Sequence, residues 1–153
     1  MADSTFLHRI IIKNYKSIAA CDVELRPLTF LVGPNGAGKS NFVDALRFVT
    51  DALRSSLDQA IRERGGINEV RRRSGGRPTH FGMRLEFRLP SGTDGHYSFE
   101  IAALPQGRYE VQKEECCISA PSAATRKASF RVQRGVVESL SEITPPLSQT
   151  GST

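Results

Sequence analysis

The residues best placed to do chemistry are Gly33-Pro34-Asn35-Gly36-Ala37-Gly38-Lys39-Ser40. Gly33 and Gly38 bracket four residues and are followed by Lys and Ser, the spacing of a loop that wraps a polyphosphate. Glycine lets the backbone turn tightly and come close to an anion with no Cβ in the way. Successive N–H groups then point inward, and the N-terminus of a following helix adds its partial positive charge. Lys39 is suited to reach β- and γ-phosphates as a mobile point charge. Ser40 is suited to offer its hydroxyl to Mg²⁺, which takes a few hard oxygen ligands and keeps water on the rest. The alternative, a plain turn with a solvated lysine, leaves the flanking pattern without a purpose.

Such a loop works only between a strand and a helix. Leu28-Thr29-Phe30-Leu31-Val32 reads as a short buried strand entering it. After it, Phe42, Leu46, Val49, Leu53, Leu57 and Ala60 recur at steps of three and four, the period of a one-faced helix. Ser55-Ser56-Leu57-Asp58 suggests a break with an N-cap and an acid three residues on, and Gly65-Gly66 ends the helical region.

Upstream, residues 6–13 read as a strand, Asn14-Tyr15-Lys16-Ser17 as a polar turn, and residues 19–25 as an antiparallel return. Residues 67–79 read as an exposed basic loop. Phe81, Met83, Leu85, Phe87 and Leu89 alternate with polar residues or glycine, as in a half-buried strand. Tyr97, Phe99, Ile101 and Ala103 repeat the pattern, residues 109–118 follow, and one last strand is expected over 130–137. Sequential strands joined by short turns predict an antiparallel meander, not further strand–helix–strand units. Residues 1–139 then form one domain and 140–153, with Pro145-Pro146 and small polar residues, a flexible tail.

The composition is that of a globular domain, with 39% hydrophobic and 24% charged residues and no apolar run long enough to cross a membrane. There is no signal-peptide pattern at the start. Cys21, Cys116 and Cys117 lack zinc-site spacing and fit free thiols in a reducing, cytoplasmic setting. The net charge is +5, and Arg outnumbers Lys sixteen to five. Between residues 61 and 77, six arginines face two glutamates, a local balance of +4. Such a balance permits nucleic-acid binding without requiring it.

Ile12-Lys13-Asn14-Tyr15-Lys16-Ser17 together with Gly33 to Ser40 and Asn41 resembles the N-terminal lobe of SMC/RecF-type "AAA family" ATPases, of the ABC-ATPase class of P-loop proteins. The likeness covers about residues 6–90. It implies an α/β fold in which a P-loop NTPase lobe of ABC-ATPase head type carries an antiparallel β-meander. It also implies ATP and Mg²⁺ as ligands. By position, Lys16 and Ser17 are expected beside phosphate or base, with Tyr15 packed nearby, and Asn35 near the γ-phosphate. An exposed turn with a half-buried tyrosine is the competing reading.

The resemblance also marks what is missing. Hydrolysis in this family needs an apolar strand ending in an acid pair, and a Leu-Ser-Gly-Gly signature supplied across a dimer. Glu114-Glu115 follow polar Gln112-Lys113, and Arg73-Ser74-Gly75-Gly76 stands too close to Lys39 and after a run of arginines. The expectation is therefore an ATP-binding N-terminal part of an ATPase, completed by a C-terminal lobe or a second copy, with DNA a conceivable partner through Arg71, Arg72 and Arg73. The other readings are a non-hydrolysing nucleotide-binding switch and a P-loop small-molecule kinase.

Overall fold

The computed structural model describes residues 6–73, 79–119, 128–140 and Leu147. The chain opens with a hairpin of β1 (Phe6–Tyr15) and β2 (Ile18–Glu24), paired with Ile12 opposite Cys21 and Tyr15 opposite Ile18. Only Lys16 and Ser17 connect the two, and Lys16 has the positive φ of 46° that a two-residue hairpin turn demands. Helices α1 (Lys39–Arg54), α2 (Leu57–Arg62) and α3 (Ile67–Val70) follow. The meander is β3 (His80–Arg88), β4 (Asp94–Ala103), β5 (Tyr109–Ile118), β6 (Ala128–Gln133) and β7 (Val136–Leu140). All belong to one antiparallel sheet of seven strands in the order β2-β1-β3-β4-β5-β6-β7. The architecture is thus mixed α/β, with the meander that the alternating residues predict.

Alternation decides which face is wet. Ile10, Ile12, Phe81, Met83, Phe99 and Ile101 are buried in one core with Phe42, Ala45, Phe48 and Val49 of α1. The intervening residues carry charge on the opposite face, where Arg9 forks onto Asp22, Arg84 bonds Glu86 at 2.9 Å, and Arg131 and His96 share Glu115. Gly82 interrupts that outer face for a steric reason. A Cβ there would lie 2.7 Å from the Phe99 carbonyl oxygen on β4. Gly82→Ala is therefore expected to push β3 from β4 in mid-sheet. The cost is about 1–3 kcal/mol, read as a melting temperature lower by several degrees; an unchanged melting temperature would refute the close approach.

Four expectations need correction. Residues 28–32 form no strand among the described residues, and they are not buried: Phe30 is 77% and Val32 91% exposed. An apolar run has the composition of a buried strand, but it becomes one only when a neighbour supplies hydrogen bonds and a covering layer. Residues 67–70 are a helical turn, not exposed loop, because Ile67 and Val70 reach the core and their sides of the turn are buried. The last strand is two, since Arg134 and Gly135 adopt positive φ and turn the chain between β6 and β7. The break after α1 is where the sequence suggests it, but the cap is Ser56, whose hydroxyl accepts from Gln59 N–H at 3.1 Å, rather than Ser55. The tail from residue 140 lies outside the described residues except at Leu140 and at Leu147. Leu147 is buried, and its N–H donates to Glu114 at 2.9 Å.

Candidate functional site

The glycine-rich loop leads directly into α1. Gly36 and Gly38 take φ values of 85° and 89°, the left-handed region where a side chain is strained. The first bond of α1 runs from Phe42 N–H to the Gly38 carbonyl at 2.8 Å. The N–H groups of Lys39, Ser40 and Asn41 precede it in the first turn and have no partner within the helix. These three residues line a cavity of about 340 Å³ together with Ser17, Asn35, Gly36 and Gly38. Lys39 folds back over the loop, donating to the carbonyls of Gly33 at 2.6 Å and Pro34 at 2.7 Å. Ala37 closes the loop with an N–H bond to Pro34 at 3.2 Å. Neutral carbonyls and the end of a dipole surround one mobile ammonium. The lining contains no carboxylate among the described residues, so the cavity is arranged for an anion.

The β1–β2 turn reaches the same place. Asn41 Nδ2 donates to Ser17 Oγ at 2.7 Å, which ties the turn to the first turn of α1. Lys16, expected from its position to stand beside phosphate or base, points elsewhere in the structure: its ammonium is 2.6 Å from Asp44. Tyr15 is wholly buried against Phe48 and Phe81, and its hydroxyl donates to Asp44 at 2.7 Å. Arg64 completes the group. It bonds Asp44 at 3.2 Å, Asp51 at 2.9 Å and the Ala60 carbonyl at 2.9 Å, with its guanidinium over the Phe48 ring.

Burial pushes the Asp44 carboxyl up, but the bonds from Lys16, Tyr15 and Arg64 outweigh it and hold the group below the ordinary carboxylate range. Burial and then Asp44 push the Tyr15 phenol up, so it stays a donor. Sequence reasoning missed Asp44 and Arg64. One signal was available for the first: Asp44 lies three residues after Asn41, on the same side of the helix.

A second cleft of about 520 Å³ adjoins the loop. Ile18, Ala20, Cys21 and Val23 of β2 form one wall, Phe30, Leu31 and Val32 another, with Gly38 and Lys39 at the junction. Burial pushes the Cys21 thiol up, as the apolar setting requires. Among the described residues β2 is an edge strand, with β1 as its one strand neighbour.

Other sequence candidates lie apart from the loop. Glu114 is buried on the inner face of β5, accepting from Tyr97 at 2.7 Å, and Glu115 points outward to His96 and Arg131. Neither lines the loop cavity. Much of the basic balance around residues 61–77 is neutralised locally. Arg62 pairs with Asp58, Arg64 with Asp44 and Asp51, and Arg73 with Glu69, while Arg71 bonds the Asn68 side chain at 3.1 Å. Ser74, Gly75, Gly76 and Arg77 lie outside the described residues.

Comparison with known proteins bears on the same stretch. Residues 6–69 match the RecF/RecN/SMC N terminal domain. Over 91% of its length the chain is 28% identical to the structural maintenance of chromosomes protein 1 of Schizosaccharomyces pombe. It is 46% identical over 41 residues to the DNA replication and repair protein RecF of Vibrio vulnificus, and 41% identical over 51 residues to the OLD nuclease of Thermus scotoductus. These matches cover 26% and 33% of this chain, and the three span 13%, 11% and 10% of the relatives' own lengths. No solved structure matches the chain. The N-terminal region is SMC/RecF-like.

Proposed function

We propose, from this SMC/RecF-like N-terminal region, that the chain binds ATP with Mg²⁺ at residues 33–41 and acts as the N-terminal lobe of an ABC-type P-loop ATPase. The observation that carries the reading is the cavity where Gly36 and Gly38, in left-handed conformation, meet the start of α1 beside Lys39. The residues fit the ligand. Backbone N–H groups of the loop and first helical turn hold phosphate oxygens, and Lys39 exchanges the Gly33 and Pro34 carbonyls for the β- and γ-phosphates. Ser40, exposed at the second position of α1, supplies a hydroxyl to the metal ion. Mg²⁺ bound there neutralises charge on the phosphoryl oxygens. Asn41 keeps Ser17, and with it the β1–β2 turn, at the cavity wall.

Hydrolysis needs an activated water and charge stabilisation around the transferring group. With no carboxylate in the described lining, those groups come from a second lobe or a second copy. Exposed Phe30, Leu31 and Val32, together with the free edge of β2, offer the surface on which such a lobe completes the sheet.

Calorimetry of the 153-residue chain with ATP and Mg²⁺ tests the reading. Saturable binding near one nucleotide per chain is expected, with turnover close to background. No binding would overturn the site. Fast Mg²⁺-dependent turnover by the pure chain would overturn the need for a second lobe.

A further inference from the structure

Three side chains converge on Asp44, and they are not equally committed to it. Arg64 is held three ways, by Asp44, Asp51 and the Ala60 carbonyl, and its side chain is only 8% exposed beneath the Phe48 ring. Tyr15 is fixed in the core. Lys16 differs: Asp44 is its acidic partner, its side chain is 27% exposed, and its other contact is a long one, 5.8 Å to the Tyr15 ring centre. If the ammonium leaves, Asp44 keeps the Tyr15 hydroxyl and the Arg64 guanidinium, so no buried charge is stranded.

The backbone under Lys16 cannot follow it. Lys16 N–H donates to the Val70 carbonyl at 2.8 Å, Arg72 N–H to Asn14 at 2.7 Å, and Ser17 is tied to Asn41. Movement is therefore confined to the lysine side chain. Its next residue, Ser17, lines the phosphate cavity. Asp44 stands five residues after Lys39 on α1, roughly 7.5 Å along the helix axis. The ammonium thus rests on a carboxylate of the helix flank, while the residue that carries it is the chain neighbour of Ser17 in the wall of the cavity at the helix start.

We propose that Asp44 is a positioning residue that holds Lys16 off the nucleotide, so that Asp44 and the bound polyphosphate compete for one ammonium and set the affinity of the loop between them. This rests on the nucleotide reading of residues 33–41. It assigns Asp44 the role of a built-in competitor, which discriminates ligands by phosphate charge, because only a ligand rich in negative charge draws Lys16 away.

The test is a double-mutant cycle on the 153-residue chain, with calorimetry for ATP and AMP in Mg²⁺ buffer and thermal melts to verify folding. Asp44→Asn keeps an acceptor for Tyr15 and Arg64 and removes the competing charge. It is expected to raise ATP affinity roughly two- to fivefold, as for release of a partly exposed ion pair, and to leave AMP affinity unchanged. In a Lys16→Met background the same substitution is expected to change nothing.

A folded Asp44→Asn chain with equal or weaker ATP affinity overturns the proposal, as does a gain that persists without Lys16. If Asp44→Asn does not fold, Lys16→Met alone decides: several-fold loss for ATP with none for AMP supports the proposal, and equal ATP affinity overturns it. Lys39→Ala separates the two levels. If it abolishes binding while Asp44→Asn is silent, only the competitor role falls. If the wild-type chain binds no ATP, or Lys39→Ala binds it as well as wild type, the nucleotide reading falls and takes this proposal with it.

Discussion

Lys39→Ala is expected to weaken ATP binding about ten- to a hundred-and-fifty-fold while leaving the fold in place. The lysine is the one cation in the described lining of the loop cavity. Its loss removes a charge-assisted contact to phosphate worth about 1.5–3 kcal/mol. The structure supplies the argument for an unaffected fold: among the described residues the ammonium bonds only the carbonyls of Gly33 and Pro34, in a loop already open to solvent, which can bond water instead. Melting temperature is expected to move by no more than a few degrees. Calorimetry of the two proteins side by side measures the ratio. Equal affinities would remove residues 33–41 from consideration as a nucleotide site, and a collapse of the melt would mean that Lys39 is holding the loop together rather than waiting for a ligand.

The largest effect on stability is expected at Phe48. Its ring is fully buried where helix meets sheet, 5.8 Å from Tyr15, 5.6 Å from Phe81 and 6.2 Å from Phe99, with Arg64 on its face. Truncation to alanine leaves a cavity that these rigid rings cannot close, at a cost of about 3–5 kcal/mol. That is on the order of 10 °C in melting temperature for a chain of this length. The same change removes the surface on which the Arg64 guanidinium rests, so the Asp44 cluster should loosen with it. Denaturant unfolding of Phe48→Ala gives the number. A loss under 1 kcal/mol would mean that α1 is not packed on the sheet through this residue.

Phe48 was not among the residues whose period marks the helix; Phe42, Leu46, Val49 and Leu53 were. Of these, Phe42 and Val49 are buried, Leu46 is partly buried and Leu53 is exposed. The heptad-like steps locate a helix reliably because any one-faced pattern does so, but the face actually buried is chosen by the sheet beneath it. β3 and β4 present Phe81 and Phe99 to one side of α1, and that side carries Ala45, Phe48 and Ala52.

What the sequence by itself determined is local. The tight turning of the glycine-rich loop was legible in its glycines, since the φ values of 85° and 89° at Gly36 and Gly38 are ones that glycine takes without strain and other residues rarely do. The β1–β2 hairpin and the strands of the meander follow from alternation, because a side chain must point to one face or the other. Only the tertiary structure decided the rest. Residues 28–32 have the composition of a buried strand yet lie exposed, because burial belongs to a neighbour and not to a sequence. Arg64 reads as one more basic residue in an exposed stretch, and becomes a buried strut only when α2 brings it 20 positions back onto Asp44. The family resemblance implies a place beside phosphate or base for Lys16, with an exposed turn as the competing reading. The charge of Lys16 sits instead on the carboxylate that chain folding carries to within 2.6 Å, because an ammonium settles on the nearest anion that three-dimensional packing provides.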